Sequence, residues 1–354
     1  MTLALLLLVT TGLSWVSVGA AVGHVERRGW SLVRYQILLC LVCVALGLVG
    51  WATAPDAFLP RSGCPTLTWV LVIAGMLSSG VFNYLMVLAM GSAMKRGPNA
   101  IVWAIVQSGL IYPFLMGWLV FDVPMGPRRL CGIALIVASV FLYATRHAEG
   151  AGRDDSHAEG AESTERDQSH AESAEFAEAK SHAEGAEATA RAGKDEPSAL
   201  RQWLPAALLG MLFCGINQCG ANLPSYLEGG QEFSGTFRTF ALYFGLLMSA
   251  LVHLAGQSLR GTRLAPAAPG ELRGLALWAV GVGTMSFLTS RYLAFPGLDT
   301  LKRLGAGSMG YPVMVASCIV GFFPYGVFVL RERINARQAL GAVLGLVGIL
   351  VGCL

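Results

Sequence analysis

Four carboxamides stand where water is scarce. Asn83, Gln107, Gln218 and Asn222 each interrupt a long apolar run. A carboxamide carries one acceptor and two donor positions and no charge. Unpaired polar groups inside hydrocarbon are costly, so such side chains mark either a binding site or a hydrogen bond between packed helices. Asn83 follows Ser79 by one helical turn, in "SSGVFNYL". Gln107 follows Trp103 by one turn, and "CGINQCGAN" puts Gln218 and Asn222 on one helical face. Clustered this way, the four predict a polar pocket among otherwise apolar spans. Packing between helices is the alternative for any one of them.

Other side chains add to this set. Arg238 and Arg291 fall just inside apolar runs, where they suit an anionic or polyhydroxyl ligand at one mouth of the pocket, or snorkel to the interface. Tyr84 adjoins Asn83. Tyr112 and Tyr325 adjoin Pro113 and Pro324, prolines that free a backbone carbonyl and permit bending. These bends suit gating, and the two tyrosines suit the lining of a pathway. The acidic residues Glu26, Asp56, Asp122, Glu228, Glu232, Glu271, Asp299 and Glu332 read as loop or span-end residues, and His253 sits near the end of its run. A proton-coupled site ordinarily uses an embedded carboxylate or histidine.

Catalytic signatures are missing. The chain has no H-E-x-x-H, no G-x-S-x-G and no glycine-rich phosphate loop, so a non-enzymatic role is expected, without cofactor or metal. Cys40-x-x-Cys43 lies mid-span without polar neighbours and reads as small apolar packing. His147, His157, His170 and His182 recur at intervals of 10, 13 and 12, which fits no compact ligand set.

These residues must be positioned by membrane-spanning helices. Apolar residues make up 54% of the chain and charged ones 13%, against about 25% charged in a soluble domain. Mean hydropathy is +0.57. Ten runs approach the twenty or so apolar residues that span hydrocarbon: 2–22, 31–51, 66–91, 99–120, 128–145, 203–222, 236–257, 273–294, 306–330 and 335–353. The first reads as a retained helix, because it lacks a basic n-region and outruns a signal-peptide core. The expected fold is an all-α integral membrane protein. Its one long connection, 146–200, holds 14 acidic and 6 basic residues in near-repeats of "HAEGA". That composition predicts a disordered acidic linker between residues 1–145 and 201–354. The rest of the chain carries 19 basic and 8 acidic residues, so the overall +3 averages two unlike materials and does not point to nucleic acid.

The two halves repeat. At a shift of 209 residues, Ser108 falls on Ser317, Phe114 on Phe323, Gly117 on Gly326, Arg128 on Arg337 and Gly132 on Gly341. Five spans is an odd number, so a copied five-helix unit must sit inverted relative to the first, an arrangement common among secondary transporters. The expected architecture is ten transmembrane helices as two inverted five-helix repeats. Spans three, four, six, eight and nine should surround a central cavity.

The tail "ERINARQALGAVLGLVGILVG" at 332–352, with its partial copy "DVPMGPRRLCGIALIVASVFL" at 122–142, resembles the drug/metabolite transporter superfamily. The first copy departs from the pattern, with Asp122 where Glu is usual. Two branches are similar. One is EamA-like. The other is the L-rhamnose–proton symporter branch, through "HVERRGW" at 24–30, Asn83-Tyr84 and the charged linker. The resemblance implies a permease that moves a small polar metabolite by alternating access at a midplane site, or a sugar–proton symporter. A membrane-embedded enzyme or a non-transporting scaffold is the reading from another class.

The expected partners are a small-molecule substrate and the lipid bilayer. Gly341-x-x-x-Gly345 and Gly348-x-x-x-Gly352 permit close helix approach, within the chain or in a homodimer through the last helix of each repeat. The expected location is the cell membrane, as a multi-pass protein, which in a bacterium is the inner membrane. Counting Lys and Arg near span ends gives 11 after odd spans and 7 after even ones. That asymmetry puts the linker in the cytoplasm and both termini outside. EamA-like relatives generally place both termini inside.

Overall fold

The computed structural model describes residues 1–55, 58–59, 64–122, 126–144, 196–261, 265–305, 307, 310–331 and 336–353. Most of the 146–200 linker, with its four histidines, and Asp56, Arg61, Arg263, Glu332 and Arg333 lie outside these residues. Among the described residues the chain is helical throughout, with no strand. The first half comprises α1 (Thr2–Arg27), α2 (Leu32–Thr53), α3 (Thr66–Met94), α4 (Asn99–Gln107), α5 (Ile111–Phe121) and α6 (Pro127–Ala144). The second comprises α7 (Glu196–Tyr226), α8 (Gly235–Leu259), α9 (Glu271–Thr289), α10 (Phe295–Arg303), α11 (Gly310–Pro324) and α12 (Ala336–Cys353). α7 therefore begins within the stretch expected to be linker.

Eight helical stretches are long and apolar enough to cross a membrane; one joins α4 to α5 and another joins α9 to α10. α6 and α12 carry shorter apolar stretches, Leu130–Ser139 and Ala339–Gly348. The surface agrees with a membrane protein. Leu6, Leu41, Val70, Val252, Leu277 and Val343 are exposed, whereas Asn99, Gln107, Gln218 and Arg238 are buried. A soluble fold would reverse that preference.

Proline explains the joints. Pro113 has no N–H for the Gly109 carbonyl, and the chain tightens into a 3₁₀ turn over Ser108–Leu110. Pro296 has none for the Tyr292 carbonyl. Residues Ser290–Ala294 widen into a π turn, closed by the Phe295 N–H on the Ser290 carbonyl. A second π turn, Tyr325–Val329, follows Pro324, with the Leu330 N–H 3.1 Å from the Tyr325 oxygen. The Pro296 joint corrects the expected end of span eight. The run does not stop at 294; it continues as helix to Arg303, because proline is tolerated in a helix's first turn. Asp299 therefore belongs to a helix and not to a loop.

Glycines set the crossings. Gly12 meets the Met314 backbone, bringing α1 against α11. Gly75 and Gly220 bring α3 against α7, and Gly80 lets α3 cross α8 at Leu242–Leu246. A Cβ at Gly348 would lie 2.8 Å from the Gly132 carbonyl oxygen, so the last helices of the two halves pack on one another. α6 thus covers the Gly348 face within the chain, and a homodimer through these helices has to use their other faces.

Candidate functional site

A cavity of about 130 Å³ lies at the centre of the bundle. Asn83 reaches it from α3, Gln107 from α4, and Asn217 and Gln218 from α7. Thr239 and Tyr243 of α8, Ser286 of α9, Ser290 of the first π turn and Tyr311 of α11 add hydroxyls. Trp15, Trp103, Phe295 and Met314 supply apolar wall. Among the described residues, the wall contains no Asp, Glu, Lys or Arg.

Several of these groups are held rigidly. The Trp103 indole stacks on Phe322 at 5.1 Å, and its N–H donates to Cys318 Sγ at 3.2 Å. Ser79 donates to the Asn217 carbonyl at 2.8 Å, fixing α3 against α7. Gln218 Nε2 lies 3.2 Å from Cys214 Sγ. The acceptor oxygens of Gln107 and Gln218 are buried and have no hydrogen-bond partner among the described residues.

The other expected site residues divide. Asn222 is buried but does not line the cavity. Tyr84 is buried outside the cavity wall. Its hydroxyl lies 2.7 Å from His253 Nδ1, and Gln257 Nε2 is 2.9 Å from the other ring nitrogen. Tyr112 packs over Gly215, and the Tyr325 ring lies 5.5 Å from Phe322, so neither is in the wall. Arg291 stacks on Tyr292 at 4.7 Å and lines a separate pocket with Gly50, Phe58 and Thr236.

Arg238 neither snorkels nor faces the cavity. It is fully buried, donates to Asp299 Oδ1 at 3.0 Å and to the Gly230 carbonyl at 2.8 Å, and lies over the Phe295 ring. Ser225 donates to the same carboxylate oxygen at 3.2 Å. Asp299, expected in a loop, thus anchors a buried ion pair beside the cavity. Glu26 and Glu271 are also buried. Lys95 pairs with Glu26 at 2.8 Å, and Arg34 with Glu271 at 3.0 Å. Arg34 also donates to the Ala265 carbonyl.

Sequence reasoning missed the wall hydroxyls. Mid-helix hydroxyls usually bond their own helix's carbonyls, as Thr239 does to Gly235, so their type says little about a site. Asn217 could have been found, since it precedes Gln218 directly.

No protein-family model and no curated protein matches the chain. A solved crystal structure shares its fold, with a TM-score of 0.55 at 15% identity over 98% of this chain and 95% of its own. At that identity the likeness concerns the fold alone. Together, the fold and the exposed apolar faces define an all-α membrane protein.

Proposed function

We propose that the chain is a secondary carrier for a small polar metabolite. It belongs to the drug/metabolite transporter class and is built as ten spans in two inverted five-helix repeats. The carrying observation is the uncharged, amide-lined cavity enclosed by helices of both halves. Polar side chains that converge on a pocket within membrane-spanning helices mark a binding site by default.

The packing supports the repeat. With α4–α5 and α9–α10 each counted as one span, spans three and six pack together, as do eight and one. Spans three and seven pack, as do eight and two; spans one and nine pack, as do six and four. Adding five to each number exchanges the members of every pair. Two and seven, and five and ten, map onto themselves. A pseudo-two-fold relation between the halves accounts for all of these pairs. Two lysine contacts at span ends are consistent with it. Lys95 meets Glu26 at the ends of spans three and one, and Lys302 lies over Tyr226 at the ends of spans eight and six.

Purified protein in liposomes tests the function. Entrapped sugars, amino acids or nucleosides should exchange with labelled external solute. Absence of exchange for every class, with the protein folded, overturns the reading.

The orientation follows from the loop charges: linker in the cytoplasm, termini outside. A fusion within 150–195 should fluoresce as green fluorescent protein and be silent as alkaline phosphatase. Phosphatase activity there reverses the orientation.

A further inference from the structure

The cavity's hydrogen-bonding inventory specifies its ligand more closely than its polarity does. No charged side chain lines the wall. Arg238, which lies over the Phe295 ring of the wall, is neutralised by Asp299 at 3.0 Å. An ionic solute would surrender its hydration here without meeting a counter-charge.

Gln107 and Gln218 face the cavity from different helices, and each is 4% exposed. Each has an acceptor oxygen with no donor among the described residues. A buried orphan acceptor is a standing penalty that a ligand's donor relieves. Two orphans call for two donors on one solute. A carboxamide can also present its NH₂ group in place of the oxygen. A hydroxyl both donates and accepts, so it satisfies either presentation, whereas an ammonium or a carboxylate satisfies one only. Trp15, Trp103 and Tyr311 add apolar faces of the kind that cover the C–H surface of a ring. The space suits on the order of ten water-sized groups, the scale of a monosaccharide.

We propose that this cavity selects uncharged polyhydroxyl solutes, of the monosaccharide or cyclic-polyol class, and rejects their charged analogues, with Gln107 and Gln218 setting that selectivity. The proposal rests on the carrier reading only in taking the cavity as the transported solute's site; binding is separable from flux.

The test uses three sugars of one ring size and different charge: D-glucose, D-glucosamine and D-glucuronate, with myo-inositol as a second neutral polyol. Binding to the full chain in lipid nanodiscs is read by isothermal titration and by competition between the sugars. Glucose or inositol should bind about tenfold or more tighter than both charged sugars, since each unmatched buried charge costs at least one such factor. Gln218→Leu and Gln107→Leu should each weaken the neutral polyol about tenfold, with melting unchanged. Gln218→Glu places a carboxylate in the wall and should invert the preference toward glucosamine; Gln107→Glu is the alternative if that variant does not fold. Equal or tighter binding of a charged sugar by the unaltered chain overturns the proposal, as does failure of both neutral polyols to bind. Polyol binding without liposome exchange leaves the selectivity standing and removes the carrier reading. Exchange of charged solutes with no polyol binding does the reverse.

Discussion

Asp299→Ala should destabilise the protein by about 3–5 kcal/mol, the range for removing one partner of a buried ion pair. Arg238 is fully buried, and Asp299 is the one carboxylate paired with it among the described residues. Without Asp299, the guanidinium keeps only the Gly230 carbonyl, and its Nε is unpartnered already. The reverse deletion, Arg238→Met, should cost less. Asp299 has a side chain 17% exposed and still accepts from Ser225. The double variant Arg238→Met/Asp299→Leu should recover most of the loss, because a well-packed apolar pair replaces a desolvated ionic one at little cost. Unfolding in mild detergent across this double-mutant cycle measures the coupling. A loss below about 1 kcal/mol for Asp299→Ala would mean that water reaches the pair, and that it behaves as a surface salt bridge.

This pair also shows which parts of the site were legible. The eight long apolar helices could be read from the sequence, because length and uninterrupted apolarity are local properties. Three of the four mid-span carboxamides line the cavity, since a buried amide advertises itself by type alone. Arg238 and Asp299 misled because each looked terminal: one lay at a span's edge, the other behind Pro296 among charges. What places Asp299 inside a helix is the π turn over Ser290–Ala294, which lets the helix run on through Pro296, a residue that by itself reads as a stop. Tyr84 misled in the opposite way. It adjoins Asn83, but the next residue along a helix turns about a hundred degrees away, and its hydroxyl meets His253. Like residues also recur between the two halves outside the 209-residue register. Lys95-Arg96 follows α3 and Lys302-Arg303 closes α10, and Ser31 and Ser234 each follow an aromatic residue and cap their helices. On the proposed repeat, loops of different length account for these pairs falling at shifts other than 209.

Gly80→Ala and Gly283→Ala should separate sharply, although both glycines sit where two helices cross. A Cβ on Gly80 would overlap the Leu242 carbonyl and lie 2.6 Å from the Leu246 nitrogen and 2.9 Å from the Gly245 carbonyl carbon. All three are backbone atoms, so no side chain can swing aside; the two helices must part. Overpacking of this kind costs about 1–3 kcal/mol or more. A Cβ on Gly283 meets the Leu39 oxygen at 3.3 Å and Val42 at 3.3 Å and 3.4 Å, all beyond 3.0 Å. A shift of a few tenths of an ångström absorbs that contact. Alanine also gains up to about 1 kcal/mol of helix propensity over glycine there, so the net effect should be near zero. The consequence reaches the cavity only in the first case. Asn83 lies one turn beyond Gly80, and on α8 Thr239 lies just before, and Tyr243 among, the residues it touches. Parting α3 from α8 pulls these wall groups away from one another, so Gly80→Ala should also lower solute exchange about tenfold or more, a loss expected when binding groups move by even 1 Å. Melting and exchange measured on both variants check the pair. Equal losses at the two glycines would show that the crossings are soft and that close backbone approach at Gly80 does not set the cavity.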